Sequence, residues 1–312
     1  MAKLDTCYAI IDAASEPDIF TMLEELDPPA SCLYSEPIQP EIAELAPYLV
    51  EATPEVRKWL SQRDTPWGIY VYTQATMREL RQHLRKYLMV MIPGQDKPVF
   101  WRYYDPRNVW DVLSTFDNWR LHTFLGPIKK LETQLWGEHE ESDFELERRR
   151  YPESVKQSGK LMKFTASQYA DIEGVFERQF IRRISYFFLN ARVSIIDEDE
   201  SFCLDEWIVK AFERPPLNSV KLDQYYSDQS QVISWEMAYA LVSFCQANGI
   251  HDKHSYMLLC YTLITYRIYR FEDVPEDWLN AMSSSEGVPH FRVEQFVQHQ
   301  LGFLPDFLFK EK

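Results

Sequence analysis

Glycine is scarce in this chain of 312 residues, which contains only nine. The nine are dispersed, so no glycine-rich loop is available to cradle a nucleotide phosphate. The patterns GxGxxG, GxxxxGK[ST], HExxH and GxSxG are all absent as well. These absences argue against nucleotide chemistry. We therefore expect a protein that is not an enzyme and that needs neither a cofactor nor a metal.

Paired cysteines and long apolar runs are also missing. The amino-terminal residues include an early aspartate and no apolar run typical of a secretory signal. The longest uncharged stretch of the most apolar predicted helix, 255–266, is shorter than the ~20 residues that a membrane helix needs. No CxxC pair occurs, and free thiols in a reducing compartment are expected, so we predict a cytoplasmic protein. The five cysteines are Cys7, Cys32, Cys203, Cys245 and Cys260.

Basic residues are few relative to acidic ones. The chain has 33 lysines and arginines against 48 aspartates and glutamates, and its formal net charge is −15. Such a charge repels nucleic-acid phosphates and anionic lipids, so neither nucleic acid nor a membrane is expected as a partner. Aromatic residues make up 15% of the chain, which together with the scarcity of glycine fits a rigid protein with a protein partner.

The apolar patterns predict an α+β protein of about two domains. Strands are predicted at 7–11, 31–34 and 47–50, and helices at 17–26 and 54–60, the latter capped by Thr53. The stretch 67–110 adds strands at 68–72, 87–92 and 99–103 in one mixed sheet, a helix at 74–86 and a helix starting at Pro106. The prediction is an N-terminal mixed α/β lobe with a small central sheet, followed by an all-helical C-terminal lobe.

The domain boundaries are placed by composition. The α/β domain is predicted over 1–136, a charged linker over 137–160 and the helical lobe over 161–312. A folded acidic docking arm is the alternative to the linker. In the helical lobe, Thr165 and Gln168 predict a capping box for a long amphipathic helix. Helices at 232–248 and 253–270, joined through Gly249, predict a helical hairpin, and 291–309 predicts a last helix.

Candidate interaction residues lie on and after the helix at 74–86. Arg78, Arg81 and Arg85 are spaced three and four apart and predict a basic ridge for an acidic partner, or a solvated face with Arg85 paired to Asp105. Arg102 and Asp105 are expected to fix the corner before the next helix as a buried pair. Most of the seven aromatic residues around that corner are expected in the core, with a subset at an interface: Trp101, Tyr103, Tyr104, Trp110, Phe116, Trp119 and Phe124.

Two further groups have the chemistry of catalytic or metal sites. Cys245, His251 and His254 lie close in sequence, but a buried thiol and a helix start explain them. His139, Glu140 and Glu141 offer metal ligands, but they fall in the predicted charged linker, where solvation is expected.

The central stretch resembles the signature of a known family. His83-Leu84-Arg85, a strand, Pro93-Gly94, a second strand and the run from Arg102 to Arg107 (RYYDPR) are similar to a domain-of-unknown-function family of bacterial adaptor chaperones (Tap/Tec-like). These adaptors load toxic effectors onto the spike of the type VI secretion system. Residues 8–14, 46–50 and 67–69 also fit the family, so the resemblance covers about residues 5–128.

The resemblance implies a non-enzymatic adaptor in the cytoplasm of the producing cell. Its expected partners are an effector toxin and the VgrG spike protein, and by analogy the helical lobe helps to select the effector. The alternatives are a hydrolase-like enzyme with a cleft between the lobes, or a structural component of the secretion apparatus. The candidate partner-binding or family-motif residues are Arg78, Arg81, His83, Arg85, Arg102, Tyr104, Asp105, Arg107 and Trp110.

Overall fold

A computed structural model describes residues 5–34, 37–135, 138–151, 161–196, 203–213, 229–283 and 287–307. The chain divides into two compact units, Met1–Val175 and Phe176–Lys312. The first is mixed α/β and the second is helical, which confirms the predicted α+β class. Within the described ranges, every helix is too short or too polar to cross a membrane.

A six-stranded antiparallel sheet forms the centre of the first unit. Its strand order is β2-β3-β1-β4-β7-β8. Successive side chains of a strand point to opposite faces, so Tyr8 and Ile10 enter one core cluster while Ala9 and Ile11 enter another. The sheet is therefore covered on both faces. The strands are β1 (Thr6–Asp12), β2 (Ala30–Cys32), β3 (Pro47–Glu51), β4 (Gly68–Thr73), β7 (Ile128–Leu135) and β8 (Glu138–Ser142).

Short helices cover the two faces of this sheet. One face packs against α1 and α3, and the other against α4, α5 and α6. Local signals set the starts of two of them: the Thr53 hydroxyl accepts a hydrogen bond from the Val56 amide at 3.3 Å, and Thr76 and Glu79 form a capping box. The helices are α1 (Ile19–Leu26), α2 (Pro40–Ala43), α3 (Pro54–Leu60), α4 (Met77–Leu84), α5 (Val109–Ser114), α6 (Asn118–Leu125) and α7 (Glu145–Arg148).

The prediction that 68–72, 87–92 and 99–103 share one mixed sheet is wrong. The last two segments form β5 (Met89–Met91) and β6 (Val99–Phe100) of a separate three-stranded sheet, in the order β6-β5-β9 with β9 at Met162–Lys163. The β5–β6 pair is antiparallel and the β5–β9 pair parallel. Strand β4 is paired with β1 on one edge and β7 on the other, so it has no free edge for β5.

The segment predicted as a charged linker, 137–160, begins with regular structure. Strand β8 pairs with β7 over five residues, and helix α7 follows. An edge strand tolerates charged side chains on its exposed face, which explains why no apolar alternation marked it. Residues 137 and 152–160 lie outside the described residues. Strand β9 also belongs to the first unit, so the helical lobe does not begin at 161.

Helix α8 begins at Ala166 in the first unit and continues into the second unit, whose core is formed by helices. The predicted capping box before α8 is confirmed, since Gln168 donates its amide to the Thr165 hydroxyl at 3.2 Å and accepts from the Thr165 amide at 3.1 Å. Gly249, at φ +72°, ends α10 as predicted. Residues 308 and 309 of the last predicted helix lie outside the described residues. The helices are α8 (Ala166–Ile196), α9 (Leu204–Glu213), α10 (Gln229–Ala247), α11 (Lys253–Thr265), α12 (Glu276–Ser283) and α13 (Pro289–Leu301).

Candidate protein-interaction groove

An open groove lies between the end of α4, the residues that follow β2, and the small sheet. Its volume is about 520 Å³, within the ~300–1,000 Å³ range of ligand pockets. Met89 and Phe100 are 38% and 40% exposed, and as cross-strand neighbours they place two exposed apolar side chains together in the groove. Phe100 meets Tyr34 edge to face, with ring centroids 5.8 Å apart. The lining residues, called the groove below, are Leu33, Tyr34, Gln82, Arg85, Lys86, Leu88, Met89 and Phe100.

The helical spacing of α4 and the alternation of side chains in β5 determine which residues face the groove. On α4 the buried residues Leu80 and Leu84 face the core, so Gln82 is left on the outer side. In the small sheet Val90 is buried while its neighbour Met89 points outward and pairs with Phe100 on β6. The floor is supplied by the buried side chains of Leu33 and Leu88. The groove therefore has an apolar floor and an apolar outer wall.

The rim of the groove is basic. Its described lining residues include two cations, Arg85 and Lys86, and no acidic side chain. Arg78 lies on the same side of α4, one helical turn before Gln82, and is exposed. Within the part of the chain that the structure describes, Arg78 and Lys86 form no ion pair. In a chain of net charge −15, this is a local concentration of positive charge.

Arg81 is not part of an exposed basic ridge. Its Nε donates to the Cys32 carbonyl at 2.7 Å and its Nη2 donates to the Tyr34 carbonyl at 3.0 Å. The guanidinium thus holds the chain after β2 against α4. The prediction that Arg78, Arg81 and Arg85 form one ridge facing a partner is therefore wrong for Arg81. Its planar, forked guanidinium donates to two backbone carbonyls of this chain.

His83 is buried beneath α4 and is 5% exposed. Its Nε2–H donates to the Phe124 carbonyl at 2.6 Å, and its ring lies 5.2 Å from that of Tyr87. Burial lowers the pKa of His83 to about 4, so the ring is neutral at physiological pH. This position gives His83 a structural role rather than a place on the surface.

The motif after β6 fixes a corner, but with other pairs than predicted. Asp105 accepts two hydrogen bonds from the Arg107 side chain, at 2.9 and 2.7 Å, and one from the Arg107 amide at 3.0 Å. Arg102 instead lies 3.4 Å from Asp12. The predicted Arg102–Asp105 pair is therefore wrong. The Asp105 turn occupies Pro106 to Asn108, so α5 begins at Val109 rather than at Pro106.

Tyr104 and Trp110 face the interior of the first unit. Tyr104 is 1% exposed, and burial, with Asp12 nearby, raises the pKa of its phenol well above the usual value. Trp110 donates from Nε1 to the Thr133 hydroxyl at 2.8 Å and stacks on Phe144. Of the seven aromatic residues around the corner, Trp119 is the one that is more than one-third exposed, at 43%. Core packing thus explains most of this group.

A second polar cluster lies on the sheet around Glu132, whose side chain is 3% exposed. Its Oε1 accepts from Arg57 Nη2 at 2.9 Å and from Gln134 Nε2 at 2.8 Å. The Tyr72 hydroxyl donates to Oε2 and itself accepts from Arg57 Nη1 at 2.8 Å. Both carboxylate oxygens are thus bonded. A general base needs a free lone pair aimed at its substrate, so this geometry is that of a structural network.

His139 joins this cluster from β8. The ligand atoms of Glu132, His139 and Glu141 lie within 4.8 Å of one another, which is compatible with a metal. The Lys130 ammonium, however, is 2.9 Å from Glu141 and 4.0 Å from Glu132. A cation already neutralises these carboxylates, so the three groups fit an ion-pair network better than a metal site.

The predicted group Cys245, His251 and His254 forms no reactive pair. Burial raises the pKa of the Cys245 thiol to about 12, so the thiol stays protonated at neutral pH. Asp252 caps α11 by accepting from the Ser255 amide at 2.8 Å. The ring of His254 lies 6.1 Å from that of Phe307. This outcome agrees with the structural explanation preferred above.

Sequence reasoning found Arg85 but missed the rest of the groove. Gln82, Lys86 and Met89 continue the spacing of Arg78 along one side of α4 and beyond it, which is a signal that the sequence contains. Phe100 carried a weaker signal, since an aromatic residue in a strand is usually taken as buried.

Comparison with known proteins identifies one related domain. Residues 7–123 match the family model described as Domain of unknown function (DUF4123). The match runs from β1 into α6 and includes every residue of the groove, whereas β7, β8 and the helical unit lie beyond it. No curated protein and no solved structure matches the chain. Over residues 7–123 the chain is thus similar to DUF4123, a domain associated with effector adaptors of type VI secretion.

Proposed function

We propose that this protein is a non-enzymatic adaptor that binds a type VI secretion effector in the producing cell and promotes its loading onto the VgrG spike. The similarity of residues 7–123 to DUF4123 supports the class of function. The groove is the observation that supports a protein-binding function, because Met89 and Phe100 are exposed there beside a basic rim. Exposed apolar groups of this kind mark sites of protein association.

Such an adaptor acts by binding alone. Binding to the folded effector raises the effector's stability by mass action, and covering its apolar surface limits aggregation before loading. A specific interface buries ~1,200–2,000 Å² and uses about 20–30 residues on each side. The groove has eight lining residues, so flanking surfaces also take part. We assign the choice of effector to the helical unit, as the resemblance to the family implies.

The test is a reconstitution of loading with purified proteins. A candidate effector and a VgrG protein from the same cell are mixed with and without this chain, and the effector captured on immobilised VgrG is measured. We expect capture to rise at least about tenfold with the chain present, a difference of ~1.4 kcal/mol. Equal capture in its absence would refute the adaptor function. Turnover of a substrate that is lost on changing one polar residue would refute the non-enzymatic assignment.

A further inference from the structure

We propose that the groove binds an acidic amphipathic helix of a partner protein. This inference rests on the adaptor function proposed above and adds to it the surface used and the chemistry that it recognises. It follows from three properties of the groove: its apolar depth, its short strand edges and its basic rim.

The apolar depth fits a row of side chains rather than a flat contact. Leu33 and Leu88 form a buried floor, while Met89 and Phe100 stand on the outer wall. An amphipathic helix presents side chains at i, i+3, i+4 and i+7 to such a groove. The unbranched side chain of Met89 can adjust to the shape of those side chains.

The strand edges near the groove are poor templates for an added strand. Strand β6 is only two residues long. At the edge of the large sheet, the Cys32 carbonyl on β2 is already bonded to Arg81 Nε at 2.7 Å. Binding by strand addition depends on a run of free main-chain donors and acceptors. A partner therefore gains more from side-chain burial as a helix than from main-chain pairing.

The basic rim selects acidic side chains. Arg78 and Lys86 are separated by eight residues, or about 12 Å along a helix. Carboxylates on the side of the partner's apolar stripe that faces α4 reach these cations when the two helices lie side by side. Salt screens charges beyond about 8 Å, so the local cations determine the interaction at the groove. Surfaces that carry the chain's excess of acidic residues, with a net charge of −15, repel an acidic segment that comes close to them. An acidic helix is thus attracted at the groove and disfavoured at other sites.

The experiment selects ligands without assuming an effector. The full chain is immobilised and panned against a phage-displayed library of random peptides of about four helical turns. We expect recovered peptides to have leucine-like residues at helical spacing, flanked by aspartate or glutamate, and to become helical by circular dichroism on binding. Recovery of basic or extended peptides, or of none, would overturn the proposal.

Matched variants locate the binding site. We expect Lys86→Glu to weaken the recovered peptides about tenfold, with the loss shrinking at high salt, and Phe100→Ser to weaken them about tenfold or more. The controls change exposed residues of α3 and α1, the helices on the opposite face of the large sheet from the groove. Lys58→Glu matches the charge change and Leu26→Ser matches the apolar change, and both variants should bind as the wild type does. Equal binding by Lys86→Glu and Lys58→Glu would overturn the proposal, and the charge variant keeps the test valid if Phe100→Ser misfolds.

Three other outcomes distinguish a failure of this inference from a failure of the adaptor function. If light scattering shows a dimer that Lys86→Glu and Phe100→Ser convert to a monomer, a second copy occupies the groove and the acidic helix is refuted. If the groove binds acidic helices but VgrG captures the effector equally well without this chain, the inference stands and the adaptor function fails. If loading depends on the chain but not on Lys86 or Phe100, the adaptor function stands and the groove assignment fails.

Discussion

The replacement of Arg57 by methionine tests the polar network around Glu132. Arg57 donates to the Glu132 carboxylate at 2.9 Å and to the Tyr72 hydroxyl at 2.8 Å, and its guanidinium lies over the Tyr70 ring at 4.4 Å. Methionine keeps most of the apolar stem but removes the charge. The Glu132 carboxylate, 3% exposed, would then be left without its main counter-ion.

The expected cost follows from burial. Removing one partner of a buried ion pair costs about 3–5 kcal/mol, because the other charge is stranded. Here Arg57 is 33% exposed, and Tyr72 and Gln134 still donate to Glu132. These features reduce the expected loss of unfolding free energy to about 2–3 kcal/mol. For a unit of this size each kcal/mol lowers the melting temperature by about 2–4 °C, so the fall should be roughly 4–12 °C.

The assay is urea and thermal unfolding followed by tryptophan fluorescence. Arg78→Met is the matched control, because Arg78 is exposed and forms no ion pair with a described residue, and it should change stability by less than about 0.5 kcal/mol. Adding Glu132→Gln to Arg57→Met removes the stranded charge and should restore about half of the loss. The reasoning would be refuted if Arg57→Met lost less than about 1 kcal/mol of unfolding free energy. It would also be refuted if the loss in the double variant equalled the sum of the losses in Arg57→Met and Glu132→Gln.

Two further predictions concern His83 and its neighbour Gly126. The folded-state pKa of His83 is lowered to about 4, below the unfolded value of about 6.5, so the unfolded chain takes up the proton first and stability falls as pH drops from about 6.5 towards 4. Between pH 7 and pH 5 the free energy of unfolding should fall by about 2 kcal/mol. Unfolding measured at several pH values should show a shallower dependence of this free energy on pH for His83→Asn than for the wild type. An equal pH dependence in the two proteins would contradict the prediction. An alanine Cβ at Gly126, where φ is +49°, would lie 2.2 Å from His83 Cε1, so Gly126→Ala should lower the melting temperature well beyond Gly94→Ala, whose φ is +75° with open space around it. Equal losses of stability in the two glycine variants would contradict the prediction, because they would show that the positive φ, and not the contact with His83, causes the loss.

Elements with local signals were predictable from the sequence. Helix α3 starts at Pro54 because Thr53 caps it, and the strands β1 and β4 are continuous apolar runs buried on both faces. Strand β7 was not predicted, because IKKLETQL contains charged residues where a central strand should be apolar. Glu132 is tolerated there because Arg57 and Tyr72, 75 and 60 residues away in sequence, donate to it. No local pattern shows such distant partners.

The same distinction applies to the candidate site. The spacing of the arginines on and just after α4 predicted a basic surface, and Arg85 does line the groove. The Arg102–Asp12 contact joins residues 90 positions apart, so the sequence motif alone favoured the neighbour Asp105 instead. Likewise, Phe100 is exposed because β6 leaves the large sheet, which depends on β7 having taken the edge of β4.

The bridge from Arg81 to the carbonyls of Cys32 and Tyr34 has a consequence for the kinetics of association. It ties the segment that contains Leu33 and Tyr34 to α4, which supplies the basic rim of the groove. This part of the floor and the rim are therefore held together before any partner arrives. A ligand meets a preorganised cleft and loses little free energy to ordering it, so binding can proceed from the first productive encounter without an opening step.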